Sequence, residues 1–146
     1  LPRVEDEQPE RKPVVPPPKP RAGSELVLVV EDEDLVRNMI RESLKRYGYE
    51  ILEAQSGTEA IELCMHRGLE RVRMLVTDVV MPGMGGKELA ETLSAVYPEM
   101  KVLFISGYTN ETIIRQGIVE PGINFLEKPF SPQALGEKIR ETLDSP

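Results

Sequence analysis

The chain has 146 residues, room for one ordinary domain. Thirteen are proline, and seven of those fall within the first 20 residues, which marks a non-globular segment and leaves about 123 residues for a fold. The net charge is −7 and there is one cysteine, Cys64, so an internal disulfide is excluded. No apolar run approaches the roughly 18–20 residues of a membrane-spanning helix. The N-terminus lacks the basic-then-apolar pattern of a signal peptide. The expected location is the cytoplasm, with no membrane contact by this chain. Residues 1–23 carry five basic and four acidic side chains, so the remainder holds all of the acidic excess. An acidic domain is a poor match for a phosphate backbone, which argues against direct nucleic-acid binding.

Residues 1–23 read as a linker or tail. Pro16-Pro17-Pro18-Lys19-Pro20 favours extended polyproline II. Pro13 and Pro16 have PxxP spacing, but such spacing is common in any proline-rich spacer. The folded domain is expected to span residues 24–146.

Leu26-Val27-Leu28-Val29-Val30 is a continuous apolar run, the mark of a strand buried on both faces. Leu35, Val36, Met39, Ile40, Leu44 and Tyr47 then recur at helical spacing, with Asp32 or Asp34 as N-cap and Gly48 as stop. A second strand is expected over 49–54. A helix follows Ser56-Gly57, carries Ala60, Ile61, Leu63 and Cys64 inward, and ends near Gly68. Met74-Leu75-Val76-Thr77 is a third strand running directly into Asp78. The glycine-rich stretch 81–86 reads as a loop. Leu89, Ala90, Leu93 and Val96 predict a third helix, closed by Pro98. Val102–Ile105 is the fourth strand, followed by a short helix around 112–116. Ile123–Leu126 is the fifth strand. Ser131-Pro132 opens the last helix in the usual N-cap and first-position order, with Ala134, Leu135, Ile139 and Leu143 inward.

Five strand–helix units predict a parallel sheet with helices on both faces. Ligands bind such sheets at the carboxyl ends of the strands. Glu31, Asp32 and Glu33 follow strand one, Asp78 strand three, Ser106 strand four and Lys128 strand five. Carboxylates held together out of bulk water repel, and a cation relieves them. Oxygen-only ligation by one or two carboxylates suits Mg2+ beside a phosphate; Mn2+ is the substitute. Asp78 can then act as a nucleophile forming an acyl phosphate, with Lys128 neutralising developing charge and Ser106 bonding a phosphoryl oxygen. Taken singly, each of these residues has a plainer use as a cap, a turn former or a solvated side chain.

The chain resembles the receiver domain of two-component response regulators. The matching pieces are Val29-Val30-Glu31-Asp32-Glu33, the run from Thr77 to Gly86, Phe104-Ile105-Ser106-Gly107-Tyr108 and Phe125-Leu126-Glu127-Lys128-Pro129-Phe130. The resemblance implies an α/β, flavodoxin-like (βα)5 doubly wound parallel sheet with strand order 2-1-3-4-5. It implies Asp78 as phosphoacceptor, Glu31 and Asp32 as the acidic metal pair, and the backbone carbonyl of Val80 as a further metal ligand. It further implies Lys128 as the family's lysine, Ser106 and Phe125 as switch residues, and a cis peptide before Pro129. Glu31 stands where many members have Asp, so its longer side chain is expected to reach the metal through water. Phe125 lacks the hydroxyl of the tyrosine that many members carry there. Val80 and Tyr108 occupy positions that tune acyl-phosphate lifetime in the family.

The implied partners are a histidine kinase or phosphotransfer domain and a downstream signalling protein or other domains of the same chain. The fragment is expected not to be an enzyme on its own. A proline-rich linker before residue 24 and the start at Leu1 fit the C-terminal receiver of a hybrid histidine kinase; a free-standing receiver with a tail is the other arrangement. Gly83-Met84-Gly85-Gly86-Lys87 fails as a phosphate-binding loop, because Met81 and Glu88 stand where Gly and Ser or Thr are needed. Val80 stands where a haloacid-dehalogenase-type phosphatase needs a second Asp. His66 is expected on the surface, Cys64 in the core, and Met81 and Met84 in loop packing rather than on a partner surface. The rival from another class is a phosphorylation-independent interaction module with the same fold.

Overall fold

The computed structural model describes residues 25–67, 72–118 and 123–145. The expected linker 1–23 with its PxxP spacing, and Ser24, Gly68 and Pro146, lie outside them. In chain order the elements are β1 (Leu26–Val30), α1 (Asp34–Arg46), β2 (Glu50–Ala54), α2 (Gly57–Arg67) and β3 (Val72–Asp78). They continue with α3 (Gly86–Val96), β4 (Lys101–Ser106), α4 (Asn110–Arg115), β5 (Phe125–Glu127) and α5 (Pro132–Asp144). All the strand pairs are parallel, and the sheet order is β2-β1-β3-β4-β5. The parallel sheet is as read from the alternating elements, and its order is the doubly wound 2-1-3-4-5 that the resemblance implied.

The continuous apolar runs serve both faces of the sheet because side chains alternate along a strand. Leu28 and Val30 of β1 and Leu75 of β3 pack with Ala60, Cys64, Leu89, Leu93 and Ile113 from α2, α3 and α4. Val27 and Val29, Met74 and Val76, and Leu103 and Ile105 pack on the other face with Ile40 and Leu44 of α1 and Leu135 and Ile139 of α5. Each fully buried side chain of this kind contributes about 1.5–3 kcal/mol. Both faces of β1, β3 and β4 are thereby closed, and their carboxyl ends open at one rim.

Several boundaries differ from the sequence reading. Neither Asp32 nor Asp34 caps α1: Glu33 is the N-cap residue, no side chain closes the helix start, and Asp34 is already inside the helix. Leu35 is 84% exposed rather than core-facing, because the first turn of α1 overhangs the rim beyond the last residues of β1. Gly86 opens α3 instead of ending the loop, with its N–H donating to the Val79 carbonyl at 2.8 Å. β5 is shorter and later than expected, at Phe125–Glu127. It pairs on one side only, and its approach is held by Phe104 N–H donating to the Asn124 carbonyl at 3.0 Å. The start of α5 is as read: Ser131 Oγ accepts from Ala134 N–H at 3.0 Å, with Pro132 in the first turn. Gly48, at φ +92°, follows the end of α1 in the left-handed region that glycine tolerates. Cys64 and Met81 are buried, Met84 is half-buried and His66 is exposed. No helix among the described residues is long and apolar enough to cross a membrane.

Candidate functional site

Four chain segments meet at the rim. β1 runs out into Glu31, whose N–H still donates to the Ala54 carbonyl of β2 at 3.2 Å. Glu31 is therefore locked against the sheet edge and is 0% exposed. Its Oε2 accepts from Glu33 N–H at 3.0 Å. Its Oε1 is buried, accepts no hydrogen bond, and lies 3.1 Å from the Lys128 ammonium. Arg37, one turn into α1, donates to the Glu31 carbonyl at 2.8 Å and to Asp34 at 2.6 Å, and lies 3.5 Å from Glu53 of β2. The acidic loop is thus pinned from strand, helix and neighbouring strand.

Asp78 is the last residue of β3 and is buried. Its backbone position is fixed on both sides: Thr77 Oγ1 donates to its carbonyl at 3.0 Å, and the following Val79 N–H donates to Ile105 of β4 at 2.9 Å. Oδ2 accepts from Lys128 Nζ at 3.1 Å. Lys128 follows β5, and its own N–H donates to the Ser106 carbonyl at 2.7 Å, which holds this residue beside β4. The Lys128–Pro129 peptide is cis. Ser106, at the end of β4, is 1% exposed, and its Oγ accepts from Tyr108 N–H at 2.9 Å. The turn-forming use that the sequence left open is therefore real. Val80 is partly exposed and, with Asp32, Glu33, Asp78, Ser106 and Tyr108, lines a cavity of about 280 Å³. Phe125 lies one strand away: it pairs with Phe104, is half-buried against the α2–α3–α4 face, and does not line that cavity.

One carboxylate oxygen each from Glu31, Asp32 and Asp78 lie within 4.8 Å of one another. Burial pushes the Glu31 carboxyl up to about 7, and the charge of Asp78 adds to it; the Glu33 N–H and the Lys128 charge oppose the rise. Burial also raises Asp78, against the Lys128 hydrogen bond and charge. For Lys128 burial disfavours the ammonium, but the bonds to Glu33 and Asp78 and the charges of Asp78 and Glu31 outweigh it and lift the pKa above the ordinary lysine range. Glu31 Oε1 is buried with the Lys128 ammonium 3.1 Å away, in a group that offers one oxygen each from Glu31, Asp32 and Asp78. The donors are all hard oxygens, which suits a hard divalent cation such as Mg2+. The residues present therefore fit that ion.

Sequence reasoning passed over two contributors. Glu33 holds Lys128 at 3.0 Å, and Arg37 holds the Glu31 backbone. Glu33 sat in view as the third acid of a run. Arg37 carried only a weak signal, lying four residues beyond Glu33 on the same helix face.

Comparison with known proteins bears on the same residues. Residues 27–140 match the family model described as the response regulator receiver domain. A chemotaxis protein CheY homolog of Campylobacter jejuni is 33% identical over 120 residues, which cover 80% of this chain and 91% of that protein. The sensor kinase CckA of Brucella abortus is 41% identical over 123 residues, covering 84% of this chain but only 13% of the kinase. The chain spans 30% of another relative, a cyclic di-GMP phosphodiesterase of Thermotoga maritima. Among solved structures, the receiver domain from hybrid histidine kinase CckA superposes with a TM-score of 0.68 at 34% identity, covering 82% of this chain and 99% of that one. The sheet order, the acids at its rim and the matched span agree, and the chain belongs to the response regulator receiver domain family.

Proposed function

We propose that this receiver domain takes a phosphoryl group onto Asp78 from the phosphohistidine of a histidine kinase or phosphotransfer domain. The observation that carries this reading is the Asp78 carboxylate itself. It is buried at its backbone, opens onto a cavity, and sits between an ammonium at 3.1 Å and two further carboxylates. An Asp78 oxygen attacks phosphorus, an O–P bond forms, the P–N bond to the donor imidazole breaks, and the imidazole keeps the electron pair. Glu31, Asp32, Asp78 and the Val80 carbonyl would hold Mg2+, which supplies charge neutralisation for the transferring oxygens. Lys128, bonded to Asp78 Oδ2 at 3.1 Å, supplies a further positive charge beside the carboxylate. Ser106 Oγ, now engaged by Tyr108 N–H, turns to a phosphoryl oxygen, and Phe125 repacks with it. The surface of α4, β5 and α5 then changes its affinity for a partner.

The domain uses its own carboxylate and must be reset, so it is a phosphoacceptor rather than an enzyme on its own. The similarity to a sensor kinase supports a hybrid histidine kinase as parent, with residues 1–23 as linker, residues 24–146 as receiver, and a cytoplasmic setting. The test is intact-mass spectrometry after incubation with acetyl phosphate and Mg2+, beside Asp78→Asn. One added phosphoryl in the parent and none in the variant is the expected result. No adduct, together with no beryllofluoride-induced change in the NMR spectrum, would overturn the reading in favour of a phosphorylation-independent interaction module.

A further inference from the structure

Lys128 has three N–H donors and three carboxylates within reach. Glu33 Oε1 is at 3.0 Å and Asp78 Oδ2 at 3.1 Å, both in hydrogen-bonding geometry. Glu31 Oε1 is at 3.1 Å as an ion pair without a hydrogen bond. Glu33 is unlike the other two. It stands outside the group of acids whose oxygens converge, its side chain is 61% exposed, and it lines the cavity mouth. Its backbone leaves it little freedom to be elsewhere. The N–H donates to Glu31, and the carbonyl accepts from Arg37 N–H at 2.9 Å as the first bond of α1.

We infer that Glu33 is a positioning residue that holds the Lys128 ammonium in the unphosphorylated domain and must release it before the phosphoryl group can be stabilised. This rests on the phosphoacceptor reading above. A phosphoryl group on Asp78 brings new anionic oxygens that need the ammonium. Two of its three N–H donors are bonded to Glu33 and Asp78 and Glu31 lies 3.1 Å away, so with the Asp78 side carrying the phosphoryl group one of the two glutamate contacts yields. Glu31, fully buried, has no water to replace the charge it would lose; Glu33, at the mouth, does. The Glu33 contact therefore breaks, and its strength appears as a brake on phosphorylation. Exposed ion pairs are worth up to about 1 kcal/mol, which is about fivefold in rate.

The test is the rate of phosphorylation by acetyl phosphate, with Mg2+, across a range of donor concentrations in the parent, Glu33→Gln and Glu33→Asp. Glu33→Asp keeps the negative charge at the mouth but is one methylene too short to keep the bond. Release of Lys128 acts on the maximal rate, whereas repulsion of an anionic donor acts on the half-saturating concentration. The expected result is a two- to fivefold higher maximal rate in both variants, with melting temperatures lowered by no more than a few degrees. An unchanged maximal rate in both overturns the inference. So does an effect confined to Glu33→Gln and to half-saturation, which is repulsion alone. A parent that takes no phosphoryl group overturns the underlying reading and this inference with it.

Discussion

Glu31→Gln isolates what a buried charge does to this domain. The Glu31 carboxyl titrates near 7 in the fold, against an ordinary value of 4.5. Burial is the main cause, reinforced by Asp78. Such a displacement corresponds to a free-energy difference on the order of 3 kcal/mol. The folded value lies above the unfolded one, so the stabilising contribution is present in full below pH 4.5 and is lost as the pH rises through 7. Gln stays neutral throughout. Without metal, the variant should exceed the parent by less than about 1 kcal/mol at pH 5 and by a margin approaching about 3 kcal/mol at pH 8. The chain has no tryptophan, so urea unfolding followed by far-UV circular dichroism is the assay. Adding millimolar Mg2+ at pH 8 should stabilise the parent by RT ln(1 + [L]/Kd) and narrow the gap. The same addition at pH 5 should do little, because the metal must displace a proton from Glu31. A stability difference that does not change with pH would refute the argument from burial. Equal stabilisation of parent and variant by Mg2+ would remove Glu31 from the ion site.

Two further outcomes are expected. Gly86→Ala should lower stability by about 2 kcal/mol in thermal or urea unfolding: a Cβ there overlaps the Asp78 carbonyl oxygen, and that backbone clash exceeds the roughly 1 kcal/mol helix-propensity gain. Gly57→Ala meets only the Met84 side chain, nearest at 2.9 Å, which can move, so its change should be much smaller. Arg37→Ala should weaken Mg2+ affinity about tenfold, read from the Mg2+ concentration dependence of the melting temperature, because the Glu31 backbone loses its clamp. Arg37→Lys should not restore it, since a single ammonium cannot span the Glu31 carbonyl, Asp34 and Glu53 together.

The strands were legible because burial on both faces forces continuous apolar runs, and Leu26–Val30 and Met74–Thr77 have few other uses. Local pattern failed where a residue's partner is distant. Asp32 and Asp34 look like helix caps by type, yet the cap position belongs to Glu33. Its side chain does not close the helix because it reaches across 95 positions of sequence to Lys128. Leu35 fits the helical period but overhangs the rim, and periodicity does not report where a sheet ends. Gly86 reads as loop by composition. Its place at the start of a helix goes with the close approach of the Asp78 backbone eight residues earlier, a contact that composition does not report. The site residues themselves were separable from caps and turns only when taken together, by their places at the ends of four strands and by the ordered motifs of the family. Ser106 shows why: it serves a turn, with Tyr108 N–H on its Oγ, and stands at the rim at the same time.

The rim gathers Glu31, Asp32, Glu33 and Asp78 around one ammonium. A fold selected for stability alone gains little from that excess, since desolvating Glu31 and Asp78 beside one shared ammonium costs much of what the ion pairs return. The arrangement makes sense if the charge balance is meant to change. On the proposed function, a dication would lower the net negative charge, a phosphoryl group would raise it again on one carboxylate, and each change would alter which oxygen Lys128 favours. Lys128 N–H is bonded to the Ser106 carbonyl and the Ser106 Oγ accepts from Tyr108 N–H, so hydrogen bonds run from this lysine to the turn that leads into α4. The charge at the strand ends is thus joined by hydrogen bonds to a stretch of backbone that leads from the site to α4. That connection is what a switch requires: a local change in charge with a defined structural path away from it.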